Sequence, residues 1–262
     1  MMKLRVAMAD ETILANGKEL LTDATGERAE GTQMVIPPIA PGQANYALTS
    51  VTAFTGPVTL YQFHPHAHFR ARDFTYAAVY PDGHEQTLLT IPRYDFHWQL
   101  EYNLAAPLSL PAGSKLVVTA HYDNSANNPL NPDPGREVLF RAQNLSTDEM
   151  FSPFVQYSED GKEHPEQTAR IVETTGCLTR QKNDWHLTHS SVPAPVASQA
   201  ASSTDTSHAT PGNENLTLIG LSAFNPARYQ GKEVSVRGAE PKGGENRINV
   251  TSLLPLARAC AQ

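Results

Sequence analysis

Only two cysteines occur in the 262 residues, Cys177 and Cys260, and neither sits in a C-x-x-C or C-x-x-C-H setting. That spacing excludes zinc ribbons, thioredoxin-type redox motifs and haem attachment by that signature. Cys260 stands beside the end of the sequence, where chains fray, so two independent thiols are expected rather than a bridge. No apolar run approaches the roughly 20 residues of a membrane helix, so no membrane span is expected. The opening MMKLRVAMADE carries cations but no apolar stretch of about 7 to 15 residues, and no secretory signal is visible in it. Basic runs are missing and the formal charge is −7, which argues against nucleic acid or an anionic membrane surface as partner. G-x-S-x-G, a Walker loop and a Rossmann glycine run are missing too, so serine hydrolase, NTPase and nicotinamide chemistry lack support.

Long segments of 3.6 period are also scarce, and what replaces them is short, aromatic and β-branched runs punctuated by 20 prolines and 16 glycines. IPPIAPGQANYALTSVTAF (Ile36 to Phe54) opens on prolines and continues as a strand. PDGHE (Pro81 to Glu85) places turn residues between TYAAVY and QTLLTIP, a hairpin pattern. LPAG (Leu110 to Gly113) separates one strand from SKLVVTAHY. The fold class expected is all-β, an antiparallel β-sandwich or jelly roll. The lead over residues 1–32 is polar, and the main domain is expected over 33–189. Residues 190–214 are small, polar and proline-dotted, the composition of a flexible linker. Residues 215–262 hold KEVSVRG and RINVTSL, read as two strands around a glycine-rich turn. So short a segment buries little alone and is expected to dock on the main domain, pair with a partner or be incomplete. DNSANNPLNPDP (Asp123 to Pro134) lacks the EF-hand spacing and reads as Asx-turns.

One motif carries chemistry. In PHAHFRA (Pro65 to Ala71), His66 and His68 are two apart, and on a strand side chains two apart leave the same face, so both rings can reach one ion. With the thioether of Met150 in STDEMF they make a soft donor set suited to monovalent copper. The same residues also fit a blander reading, two surface histidines and a methionine filling a core gap. His64 shares the strand face of the pair, and His121 ends the strand VVTAHY, so either could stand behind the ligands or replace one. His66, His68 and His121 together would make a three-histidine zinc site able to activate water for hydrolysis. That set leaves Met150 without a role. Arg70 and YDFHWQ (Tyr94 to Gln99) read as packing.

The paired histidines, IPRYDFHWQLEY (Ile91 to Tyr102), LPAGSKLVVTAHYDNSANNPLNPDP (Leu110 to Pro134) and STDEMF (Ser146 to Phe151) occur in order. Together they resemble the C-terminal catalytic domain of the copper type II, ascorbate-dependent monooxygenases, the group of peptidylglycine α-hydroxylating and dopamine β-monooxygenase, especially its bacterial branch. The resemblance runs from about Gln33 to Tyr157. It implies that His66, His68 and Met150 bind the copper at which oxygen is activated for C–H hydroxylation, with ascorbate or a similar reductant. It also implies a small-molecule or peptide substrate and a periplasmic or secreted location. Ala67 and Ala71 stand where Met and Gly are expected, and His97 where Asn is expected. The disulfide cysteines of the animal enzymes have no equivalents, so disulfides are not expected to be required. The family pairs this domain with an N-terminal one holding a second copper. ILANGKELLTDATG (Ile13 to Gly26) resembles the end of that domain, so the chain is expected to be incomplete without a second copper domain supplied elsewhere. A non-catalytic copper-binding or interaction module is the alternative of a different class.

Overall fold

The structure, a computed structural model, describes residues 3–5, 11–21, 36–141, 144–159, 168–201, 212–241 and 246–260. It is almost entirely β, with antiparallel sheets, as the punctuation of the sequence predicts. An outer sheet runs in the order β1 (Lys3–Arg5), β12 (Ser152–Glu159), β5 (Val58–His66), β8 (Tyr102–Leu110). A central sheet runs β3 (Lys18–Leu20), β2 (Thr12–Ala15), β4 (Tyr46–Ala53), β9 (Lys115–Tyr122), β6 (Ala71–Val79), β7 (Glu85–Ile91). A third sheet runs β14 (Asp184–Ser190), β16 (Glu214–Ile219), β18 (Arg247–Ala259), β17 (Lys232–Glu240), β13 (Arg170–Gln181), β15 (Ala194–Pro195). A short parallel pair, β10 (Leu139–Phe140) and β11 (Asp148–Glu149), lies beside the candidate site. Among the described residues the only helical pieces are two 3-10 turns, and no helix is long and apolar enough to cross a membrane.

The central sheet has apolar partners on both faces, and its sequence shows why. Along β9, Leu116, Val118, Ala120 and Tyr122 enter the core shared with the outer sheet. The alternate residue Val117 packs toward the core of the third sheet, with Leu14 and Val51 of its neighbours. A sheet covered on both faces leaves few positions exposed, and seven of the eight residues of β4 are buried, Thr49, Ser50 and Thr52 among them. The hairpin expected at Pro81 to Glu85 joins β6 to β7, with Gly83 at φ 92. The leading segment forms a hairpin too, β2 to β3, turning at Asn16 and Gly17 with φ of 49 and 73. It sits in the central sheet and buries Ile13 and Leu14.

KEVSVRG and RINVTSL do form an antiparallel pair, β17 and β18. The segment does not stand alone, because β17 also pairs with β13 along eight residues. Of the stretch read as linker, Gln199, Ala200 and Ala201 are buried, and Gln199 Oε1 accepts the Ala53 N–H at 2.6 Å. Residues 202–211 of that stretch lie outside the described residues.

The cysteines correct the expectation of two independent thiols. Cys177 and Cys260 form a disulfide, with Cα atoms 5.6 Å apart. The chain end is not loose: β18 runs back so that Ala259 pairs with Lys232, and the next residue, Glu233, pairs with Cys177. The spacing of the two cysteines held no hint of this, since β17 lies between the strands that carry them to one another. A bridge across 83 positions restrains the unfolded chain by about 4 to 5 kcal/mol in the loop-entropy account. The double variant Cys177→Ser, Cys260→Ser is expected to lose several kcal/mol in urea unfolding with a higher m-value, because the unlinked denatured chain exposes more surface. A loss below about 1 kcal/mol would contradict the bridge.

Candidate metal centre

The two histidines reach their positions through a defect in a strand. Val58 and Leu60 of β5 point into the core, and strict alternation from them would send His64 and His66 inward as well. The ladder with β12 slips between Gln62 and Leu60, leaving Tyr61 as an extra residue. Parity inverts there: Phe63, Pro65 and Ala67 become buried, and His64 and His66 turn to the outer face. His66 is the last β5 residue paired with β12, opposite Ser152, and His68 follows in the turn toward β6. Met150 immediately follows β11.

Of the three residues singled out in the sequence, His66 neighbours each of the other two. Met150 Sδ lies 3.3 Å from His66 Nε2, and the His66 and His68 ring centroids are 5.7 Å apart, edge to face. Two donors on one ion at tetrahedral angles, with bonds of about 2.1 and 2.3 Å, lie about 3.5 Å apart, so the nitrogen–sulfur spacing fits a shared metal.

Proton positions follow from the neighbours. Gln99 Nε2 donates to the Phe96 carbonyl at 2.8 Å, which turns Oε1 toward His66 Nδ1 at 2.7 Å. An amide oxygen only accepts, so Nδ1 carries the proton in the neutral ring and Nε2 faces the sulfur with its lone pair. His68 Nδ1 sits 2.8 Å from the Asp148 carbonyl, also acceptor-only, so its Nε2 is bare as well. Burial pulls the pKa of His68 down, which keeps the ring neutral. Histidine ligands of metals show this arrangement, one nitrogen for the ion and the other N–H donated to an oxygen. Gln99→Leu frees the His66 ring and is expected to weaken Cu(I) binding by about 10- to 100-fold in a chelator competition. An unchanged affinity would remove Gln99 from the site.

Two half-buried aromatics, Phe69 and Phe96, pack edge to face with centroids 4.7 Å apart, and Phe96 lies 6.0 Å from the His68 ring. They form an apolar wall on one side of the His68 ring. Arg70 is fully buried and donates from Nε to Asn124 Oδ1 at 3.2 Å and from Nη2 to the Ser146 carbonyl at 2.9 Å, a packing role. Ala67 and Ala71 are core residues, and His97 is exposed against Phe69.

The other two histidines are not brought in. His64 lies on the same face, roughly 7 Å back along the strand, against Phe154 and 4.0 Å from Glu101. His121 has the parity of Val117, on the central-sheet face that looks away from the outer sheet, and its Nδ1 is 2.6 Å from Asp73 Oδ1. Asp73 is held below the usual carboxylate pKa despite burial, by its bonds to His121 and Arg72. The three-histidine set is therefore not assembled, and among the described residues no three His, Cys, Asp or Glu side chains converge on one point. The group that the structure sets beside His66 is instead the Met150 thioether.

Sequence reading missed Gln99, Asp148 and Glu149. Glu149 is wholly buried, and burial raises its pKa to about 7 against the backbone N–H bonds that lower it. Its only local signal is a carboxylate directly before the candidate methionine. A scan against protein-family models and a search of curated proteins both find no match for this chain.

Proposed function

We propose that this chain is a copper-dependent, monooxygenase-like domain in which His66, His68 and Met150 hold one Cu(I) and an ascorbate-type reductant supplies electrons for C–H hydroxylation. The observation that carries the reading is the pair of imidazoles with both Nδ1–H groups spent on oxygen acceptors and a thioether 3.3 Å from one bare Nε2. The resemblance of segments beyond these three residues, Ile91 to Tyr102 and Leu110 to Pro134, to the copper type II monooxygenases also supports it. Copper at such a donor set supplies the one-electron chemistry that lets dioxygen react with a C–H bond. The residues do the rest: Gln99 and the Asp148 carbonyl hold the rings, the soft Met150 favours the reduced ion, and the Phe69–Phe96 wall covers one side of the His68 ring. Substrate class, extracytoplasmic location and reliance on a second copper domain belong to the same proposal and rest on the resemblance.

Each turnover takes one dioxygen, two electrons and two protons, and returns hydroxylated product and water. The test is ascorbate-driven oxygen uptake by the copper-loaded chain, alone and with an N-terminal copper domain added in trans, on a panel of C–H substrates. Uptake with an oxygen atom from labelled dioxygen in the product, lost in His66→Ala, is expected in one of the two settings. Stoichiometric copper without turnover in both would contradict catalysis and leave a copper-binding or interaction module.

A further inference from the structure

Beyond His66 the ladder between β5 and β12 ends, and residues 67–70 leave the sheet with backbone N–H groups that no strand receives. Two side chains receive them instead. The Tyr94 hydroxyl accepts the Ala67 N–H at 3.0 Å and donates back to the Ala67 carbonyl at 2.8 Å. Glu149 does more: Oε2 accepts the His68 N–H at 2.7 Å and Oε1 the Arg70 N–H at 2.6 Å. The same Oε2 accepts the N–H of Met150 at 3.2 Å.

We propose that Glu149 is the positioning residue of the metal centre, its buried carboxylate tying the backbone of His68 to that of Met150 so that imidazole and thioether arrive together. The inference rests on the copper reading. Its logic is local. His68 and Met150 are far apart in sequence and each lies two residues beyond the last ladder pair, His66 with Ser152, so their final placement falls to bonds made outside the ladder: the Asp148 carbonyl on the His68 ring, the Tyr122 hydroxyl on the Met150 carbonyl, and the Glu149 carboxylate on both amides. One oxygen atom that accepts from both amides fixes their separation, and the second oxygen pins the turn at Arg70. Ligands need placement within about 0.5 Å, which a free turn does not provide. A carboxylate suits the place because it only accepts, and three donors face it.

The test compares Glu149→Asp and Glu149→Gln in the full chain, loaded with Cu(I), by chelator competition and by the sulfur shell in X-ray absorption, with melting of the metal-free protein as the control for folding. Glu149→Asp keeps the charge but withdraws the carboxylate by one carbon–carbon bond, about 1.5 Å. It is expected to lose the sulfur shell and weaken Cu(I) by about 10- to 100-fold. Glu149→Gln keeps an oxygen for His68 and Met150 and is expected to retain the sulfur shell and bind within about tenfold of wild type. A folded Glu149→Asp with native affinity and sulfur shell overturns the positioning role while the copper reading stands. Wild-type protein without a copper–sulfur shell overturns both. Should the aspartate variant fail to fold, Glu149→Leu, of similar volume and without an acceptor, is read in its place: loss of the sulfur shell in a folded protein supports the role, and native affinity with the shell intact overturns it.

Discussion

Replacing His66 by alanine is expected to take ascorbate-reduced protein from one copper per chain to a small fraction of that. The remaining donors would be one imidazole and one thioether, too few to hold Cu(I) against a competing chelator. Met150→Ala is expected to act differently, because both imidazoles stay in place with their Nδ1–H bonds to Gln99 and Asp148. It should keep the metal at a tenfold or greater loss of affinity, about 1.4 kcal/mol per tenfold, and favour the oxidised ion, since the soft donor that prefers Cu(I) is gone. His121→Ala should change neither quantity, as its ring is bonded to Asp73 on another face of the molecule. Equal copper loss in His121→Ala and His66→Ala would contradict the assignment. Competition titration with the three variants separates these outcomes.

The second large effect is on stability and comes from Lys115. This lysine is wholly buried between the central and third sheets, where Nζ donates to the carbonyls of Gly220 and Val250. Gly220 sits at φ +66, a conformation that favours glycine, and a Cβ there would fall 2.6 Å from Lys115 Nζ and displace it. Burial pulls the pKa of Lys115 down to about 7, well below its ordinary value. The native state therefore binds fewer protons than the unfolded chain between about pH 7 and 10.5, so stability rises with pH across that window. The penalty for the buried cation is fully present below pH 7 and relieved above it, by at most about 4 to 5 kcal/mol. Glu19, raised to about 7 chiefly by burial, works in the opposite direction, and its window closes near pH 7. Urea unfolding from pH 7 to 9, below the range in which the buried tyrosines Tyr46, Tyr76, Tyr94 and Tyr122 begin to matter, is expected to show wild type gaining stability and Lys115→Met staying flat. Lys115→Ala should in addition lose about 3 to 5 kcal/mol through the space left by the aliphatic stem. A wild-type profile that falls from pH 7 to 9 would contradict the buried lysine.

Much of this molecule is legible in its sequence, and the parts that are not have physical reasons. The strands of the sandwich show because period-2 patterning and turn residues such as Pro81, Asp82 and Gly83 act locally. Asn16 and Gly17 between ILA and KEL are an equally local hairpin signal that the reading of a polar lead passed over. His66, His68 and Met150 could be brought together because the His-x-His spacing and a soft donor are visible as residue types, and the structure sets the sulfur beside the imidazole. The bulge at Tyr61 could not be seen, since one extra residue reverses every side chain after it without a change in composition. Gln99 and Glu149 escaped because their roles are hydrogen bonds to groups distant in sequence. The disulfide escaped because it depends on how β18, β17 and β13 lie side by side.

The measurement that tests the central claim most directly is metal analysis and copper X-ray absorption on the purified, ascorbate-reduced chain. The expected result is one copper per chain bound by two imidazole nitrogens and one sulfur, with the sulfur shell gone in Met150→Ala. Zinc in place of copper, or copper with nitrogen ligation alone that is the same in Met150→Ala, would contradict it.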